Sequence, residues 1–423
     1  MTTTWQIDTL DNGLRVVTTP MPTAQSANVC IFVGVGSRME DRRVNGICHY
    51  LEHMLFKGSA KRPTAQAISE AIEGAGGALN AFTDKEMTGY WAHVPFDRLD
   101  LAIDVLADMV RNPLLDGAEI DRERTVVEQE IRRAHDQPAA WTSELLSRAC
   151  YGDQPIGWPI AGTEETVEAI RRDDFVEHTA KWYLPKNIVV AVAGNTTAEQ
   201  VLALIAERTA DLESRSLPPI AASTPGLPPD RVQVESRDTD QSNLAYGLRA
   251  LSHTDPDRYA LTILNTLLGR GMSSRLFKEV RERRGLAYSV GSSVSRHRDT
   301  GSMAVSAGVS PEKVEEAGKV ILEQVFKLVD EPVPEDEMTR ARDFTIGNFR
   351  LGLETTMSLT QWTGENLIAT GEIEQIEDVV AKLQAITSDD VQRVAKRLFR
   401  RDNVAVALVG PRADPGLLEK TLP

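Results

Sequence analysis

An α+β fold made of two similar halves is what this sequence of 423 residues predicts. Three observations point there: an internal repeat at one fixed offset, a proline-rich break between the copies, and a mixture of strand-like and helical runs within each copy. At an offset of 216, residues 169–194, AIRRDDFVEHTAKWYLPKNIVVAVAG, fall without a gap on residues 385–410, AITSDDVQRVAKRLFRRDNVAVALVG. They share Ala-Ile, Asp-Asp, an Asn, Val-Ala and the closing Gly. In both, Asp-Asp opens a helix and an alternating apolar strand follows. At the same offset QSANVCIFV from Gln25 falls on QSNLAYGLR from Gln241, a second pair of strand-like runs. Residues 214–230, SRSLPPIAASTPGLPPD, hold five prolines in 17 residues and read as a linker between segments 1–213 and 231–423.

Within the first copy, FDRLDLAIDVLADMV repeats Leu99, Ala102, Val105, Leu106 and Met109 at helical spacing. TAEQVLALIAERTADL reads as a second helix, and both stripes are expected in the core. GAEIDRERTVVEQEIRRAHD reads as a third helix, on which Glu123 and Glu130, seven apart, share a face two turns long. A glutamate pair of this kind ordinarily marks a solvated face. Val126 and Val127 between them suggest inward packing, and pattern alone leaves both readings open. After paired glycines, GGALNAFTDKE alternates around Asn80, Phe82 and Asp84 and reads as a strand, with Asn80 closing a turn as the alternative.

Composition sets limits on function. Hydrophobic residues at 41% and charged residues at 26% are ordinary for a globular protein long enough for two domains. With 47 basic against 62 acidic residues, the net charge of −15 repels phosphate backbones and anionic bilayers, which argues against nucleic acid and membrane partners. Cys30, Cys48 and Cys150 are odd in number and widely spaced, so they make no disulfide framework and suggest a reducing compartment. The start, MTTTWQIDTLDNGLRVV, has neither a basic region nor an apolar run of signal-peptide length, and the expected location is cytoplasmic.

The chemistry is concentrated in NGICHYLEHMLFKGS, residues 45–59. On a helix His49 and His53 stand one turn apart on one face and can point at a single atom. Two histidines alone read as a packed or surface pair. Glu52 changes that reading, because H-x-x-E-H mirrors H-E-x-x-H, in which the histidines bind zinc and the glutamate activates water. Catalytic zinc takes three protein ligands and leaves one position open, so a third ligand must come from elsewhere, and Glu123 and Glu130 are candidates.

The chain resembles the pitrilysin-type zinc metallopeptidases and, within them, proteins similar to the mitochondrial processing peptidase β subunit. The resemblance covers nearly all the chain and rests on GVGSRMEDRRVNGICHYLEHMLFKGS, IEGAGGALNAFTDKEMTGYW, DRERTVVEQEI and GRGMSSRLFKEVRERRGLAYSV. It implies two α/β-roll halves forming half of a clamshell. It implies that His49, His53 and Glu130 hold one Zn2+ per chain, that Glu52 is the general base, and that Glu123 supports the ligands from behind. It further implies that the strand with Asn80, Ala81 and Phe82 pairs with an extended peptide substrate, and that Arg281 and Tyr288 reach the substrate from the second copy. Without the resemblance Arg281 reads as one solvated charge in an arginine-rich run.

At the repeat offset His49, Glu52 and His53 fall on Asn265, Leu268 and Gly269, so the second copy lacks the metal motif. GRGMSS looks like the glycine-rich loop of relatives and lacks the Gly-Lys-Ser/Thr ending of a phosphate loop. The implied activity is zinc-dependent endopeptidase action on extended peptides, as a homodimer. The alternatives are a heteromer and a non-catalytic core or partner subunit.

Overall fold

The computed structural model describes residues 4–411 and 413–419. Among the described residues there are two sheets. The first has six strands in the order β1-β2-β6-β3-β5-β4: Gln6–Thr9 (β1), Arg15–Pro20 (β2), Ser26–Val33 (β3), Ala78–Thr83 (β4), Thr88–Pro95 (β5) and Ile188–Gly194 (β6). The second has five in the order β7-β11-β8-β10-β9: Val232–Ser236 (β7), Ser242–Ala250 (β8), Ala287–Arg296 (β9), Gly301–Val309 (β10) and Ala405–Gly410 (β11). Apart from β1, the two orders are the same. The senses agree as well: β2 runs parallel to β6 and β7 to β11, while the other neighbours are antiparallel.

The first half carries α1 (Ile47–Leu55), α2 (Ala65–Glu73), α3 (Leu99–Arg111), α4 (Gly117–Asp136), α5 (Pro138–Tyr151), α6 (Glu164–Ala169), α7 (Arg172–Trp182) and α8 (Ala198–Thr209). The second carries α9 (Arg258–Gly269), α10 (Val314–Asp330), α11 (Glu335–Leu351), α12 (Thr356–Thr370), α13 (Ile376–Ala385), α14 (Ser388–Leu398) and α15 (Pro415–Glu419). At the repeat offset α1 falls on α9, and α3 to α7 fall on α10 to α14. The expected α+β duplication is therefore present in both sheets and helices. The copies diverge after α1 and α9. Where the first has α2 and a short β4, the second has a π-helical stretch, Phe277–Arg283, leading into a longer β9.

The chain forms two compact units, and each takes a helix from the other half. One unit comprises the chain up to Ile131, Trp158–Ala221 and Leu351–Ile373; the other comprises Arg132–Gly157, Ala222–Arg350 and the chain from Glu374. The proline-rich segment contains the crossing at Ala221 and Ala222. The spatial division differs from a cut at 213/231 because α12 lies on the first sheet and α5 on the second.

The reason is that central strands are apolar on both faces: every residue of IVVAVAG in β6 is buried. Val29, Ile31, Val33, Val190 and Val192 pack into the core containing α1 and α3. Val17, Cys30, Phe32, Val189 and Ala191 face the opposite way and are covered with Leu367 of α12. Gly364 permits that approach, since a Cβ there would lie 2.0 Å from the Phe32 ring. The second unit inverts the fit. Gly247 on β8 meets Cys150 of α5, whose sulfur would lie 2.5 Å from an added Cβ. All three cysteines are free and buried. Among the described residues no helix is long and apolar enough to cross a membrane.

Candidate metal centre

Helix α1 is preceded at its N-cap by Gly46, whose φ of 99° lies in the left-handed region and whose added Cβ would stand 2.5 Å from the Ala161 carbonyl oxygen. A glycine offers no capping side chain. Glu40 supplies the cap from the preceding loop, accepting from the backbone N–H of Gly46 at 2.7 Å and of Cys48 at 2.8 Å, and from Asn45 Nδ2 at 2.7 Å. Burial pushes its carboxyl up to about 7 despite those bonds. Ile47, Tyr50, Leu51, Met54 and Leu55 are buried in the core, which leaves His49, Glu52 and His53 on the partly open side.

Helix α4 brings the carboxylates. The Tyr50 hydroxyl donates to the Ile120 carbonyl and ties the two helices together. Ile120, Glu123 and Val127 form the buried stripe of α4. Val126, which the sequence grouped with Val127 as a sign of inward packing, is 40% exposed, because it lies a quarter turn off that stripe. Glu123 Oε1 lies 2.8 Å from His53 Nδ1 and its Oε2 lies 2.5 Å from Lys57 Nζ. One helical repeat further on, Glu130 Oε2 lies 3.5 Å from His49 Nε2 and 3.5 Å from His53 Nε2.

The donor atoms of His49, His53 and Glu130 all lie within 4.8 Å of one another and could hold a metal ion. Zinc bonded tetrahedrally at about 2.0–2.2 Å separates its ligand atoms by about 3.3 Å, so the set fits that ion. Burial and the neighbouring His53 lower His49 to about 4, which leaves its imidazole neutral with a lone pair to give. His49 Nδ1 is buried without a hydrogen-bond partner. On His53 burial acts downward, yet Glu123, Glu130 and Glu52 together raise it. Burial acts upward on Glu123, and His53 and Lys57 outweigh it, so this carboxylate stays charged.

Glu52 stands beside the group, its carboxyl raised by burial and held back by the Thr83 hydroxyl, which donates to Oε2. Thr83 is the last residue of β4, and this strand pairs only with β5, leaving one edge open among the described residues. Leu79 and Ala81 pack toward α1 with the main core, while Phe82 faces the other way, its ring against Phe32 at 6.1 Å. Asn80 is exposed on the strand, with its Oδ1 accepting from the Ala81 N–H at 2.8 Å, so it does not merely close a turn. The side chain of Phe82 is thus committed to packing.

Arg281 and Tyr288 lie in the second unit as a stacked pair, the guanidinium carbon 5.4 Å from the tyrosine ring centre and 4.9 Å from that of Phe277. Tyr288 is 76% exposed. Asn265, Leu268 and Gly269, which replace the metal motif, are buried on α9.

Three supporting residues escaped the sequence reading. Lys57 lies just past the end of α1, in the bend that follows its cap at Phe56, where helical spacing no longer places a side chain. Thr83 was detectable from strand alternation, which sets it with Ala81 on the α1 face. Glu40 left no local signal, because it caps a helix that starts seven residues later.

Residues 15–164 match the family model described as insulinase (peptidase family M16), and residues 169–344 match that of the peptidase M16 inactive domain. A Streptomyces coelicolor protein named an uncharacterized zinc protease is 38% identical over 412 residues, covering 96% of this chain and 89% of its own length. A Bacillus subtilis protein, YmxG, with the same description is 33% identical over 407 residues, 95% of this chain and 97% of its own. The crystal structure of a protease from Helicobacter pylori has a TM-score of 0.90 at 24% identity, covering 97% of this chain and 100% of that one. A chain of complex III2 from Candida albicans has a TM-score of 0.83 at 21% identity, covering 99% and 97%, so the fold by itself does not define the chemistry. With the H-x-x-E-H helix and its partner carboxylates in place, and relatives similar over almost their whole length, the chain belongs to the insulinase (M16) peptidase family.

Proposed function

We propose that this protein is a zinc-dependent endopeptidase acting on extended peptides or unfolded segments. The observation that carries the reading is the convergence of His49, His53 and Glu130 beside Glu52. His49, His53 and Glu130 would hold the ion, which when bound polarises a scissile carbonyl and acidifies water. Glu123 orients His53 through Nδ1 and so directs Nε2 at the metal. Glu52 accepts a proton from the attacking water and passes it to the departing amine nitrogen. The open edge of β4 offers backbone hydrogen bonds to an extended chain, which gives affinity with little demand on sequence.

Arg281 and Tyr288 are assigned to substrate, as donors to its carbonyls and to the developing oxyanion. The exposure of Tyr288 and the stacking that orders Arg281 support that role. A homodimer is proposed on the resemblance to processing peptidases, whose chambers are closed by paired chains. The test is cleavage of a peptide library by the zinc-loaded protein, read by mass spectrometry. Wild type should cut, and Glu52→Gln should retain its zinc yet lose about 100-fold or more in rate. Full activity in that variant would remove Glu52 as the base, and a wild type that binds no zinc would remove the peptidase reading.

A further inference from the structure

The Glu52 carboxylate has three rotatable bonds and sits at the mouth of the metal group, yet a general base works only if one oxygen faces the water. Among the described residues one group donates to it: the Thr83 hydroxyl, to Oε2. Oε1 is left without a donor. Thr83 is itself unusually well fixed. It pairs with Thr88 at the closing end of the β4–β5 ladder, and the turn beyond is closed by Asp84 N–H donating to the Met87 carbonyl at 2.8 Å. The loop after β3 clasps that turn, with Ser37 N–H donating to the Asp84 carbonyl at 3.2 Å and Arg38 N–H to the Lys85 carbonyl at 2.8 Å. Gly36 is pressed so close that an added Cβ would lie 2.1 Å from the Asp84 oxygen. On the far face Phe82 is locked against Gly89, where an added Cβ would lie 2.5 Å from its ring. A β-branched side chain on so restrained a backbone has little rotamer freedom.

We propose that Thr83 is the positioning residue for Glu52, a role that rests on the peptidase reading above. Its hydroxyl anchors Oε2 and turns Oε1 to the water. The proton leaves the water oxygen for Oε1 as the new carbon–oxygen bond forms, and passes from Oε1 to the amine nitrogen as the carbon–nitrogen bond breaks. Thr83 keeps its own proton throughout. Because Thr83 ends the strand whose open edge would pair with substrate, a single strand sets both the height of the substrate backbone and the orientation of the base. The side chain of Thr83 adds nothing to the edge itself, so its loss should affect turnover rather than binding.

The experiment compares Thr83→Val, which keeps the shape and removes the hydroxyl, with Thr83→Ser, which keeps the hydroxyl. With peptide substrate and zinc-loaded protein, Thr83→Val should lower kcat about 10- to 100-fold with KM and zinc content unchanged. Thr83→Ser should return kcat to within about three-fold of wild type. A valine variant with wild-type kcat, or a serine variant as slow as the valine one, would overturn the assignment. A second measurement needs no activity: thermal unfolding of metal-free wild type, Thr83→Val, Glu52→Ala and the double variant. Thr83→Val should lower the midpoint in wild type and have little effect once Glu52 is gone, whereas equal shifts in both backgrounds would refute the pairing. Failure of wild type to cleave any peptide would defeat the peptidase reading, and the unfolding cycle would still decide whether Thr83 holds Glu52.

Discussion

Helices α1 and α9 occupy the same place in the two copies, and they show what it takes to keep a candidate metal site open. On α1 the side away from the core carries His49, Glu52 and His53, partly exposed. On α9 the corresponding Asn265, Leu268 and Gly269 are buried, and β9 has moved in against them. Ser292 Oγ donates to Asn265 Oδ1 at 2.6 Å and lies 2.4 Å from where a Cβ on Gly269 would be. The second copy has not merely lost two candidate ligands and the glutamate between them. It has filled their space with strand. The carboxylates went the same way, since Glu123 and Glu130 on α4 fall on Thr339 and Ile346 of α11.

A second contrast concerns a clasp at one end of each copy. In the first, the Arg42 guanidinium stacks over the Trp158 ring at 5.1 Å. At the repeat offset these positions are Arg258 and Glu374, joined by an ion pair of 2.8 Å that Tyr259 and Lys382 reinforce. The arginine stacks on an aromatic face in both copies, Trp158 in the first and Tyr259 at 4.6 Å in the second, and the second adds the carboxylate of Glu374.

The largest effect should come from trying to restore the metal motif to α9. Gly269→His forces a ring into the space of Ser292 and should destabilise the protein by about 3 kcal/mol or more, measured by denaturant unfolding. A variant of wild-type stability would mean that β9 can retreat, and that the second copy lacks a site only for want of ligands. Next, Glu123→Ala in the first copy should weaken zinc binding about 10-fold in a chelator competition while Glu130, His49 and His53 remain. Unchanged affinity would reduce Glu123 to a packing residue, like its counterpart Thr339.

The smallest effect concerns the clasps. Burial would raise the Glu374 carboxyl, but Lys382, Tyr259 and Arg258 hold it down at about 2. A carboxyl lowered in the folded state contributes stability that is complete above its unfolded value near 4.5 and is lost as pH falls toward 2. Because the group is largely solvent-screened, that contribution should stay under about 1 kcal/mol. Glu374→Gln should therefore be slightly less stable than wild type at neutral pH and equal to it near pH 2, as read by thermal unfolding.

Much of this was legible in the residues. The repeat has few gaps because strands and helices of matched length must pack in matched order, so one offset relates almost every element of the two copies. The metal helix was legible because i, i+4 spacing is a local property. The failures are all non-local. Periodicity shows that α5 and α12 have an apolar face without saying which sheet that face covers, and so the exchange of helices was invisible. EVRERRG reads as ordinary helix, and apolar periodicity does not distinguish the π-helical stretch Phe277–Arg283 that the structure has there. Val126 and Val127 are indistinguishable by composition, and only the packing of α4 against Tyr50 decides which is buried.

The exchange of α5 and α12 also governs how the molecule can be made. During synthesis the first sheet can assemble once β6 has emerged, but the face bearing Cys30, Phe32, Val189 and Ala191 stays bare until residues 356–370 follow. That wait spans most of the second half of the chain and places its defining contacts at high sequence separation. The nascent first half therefore carries an apolar sheet face that only the second half of the chain can cover.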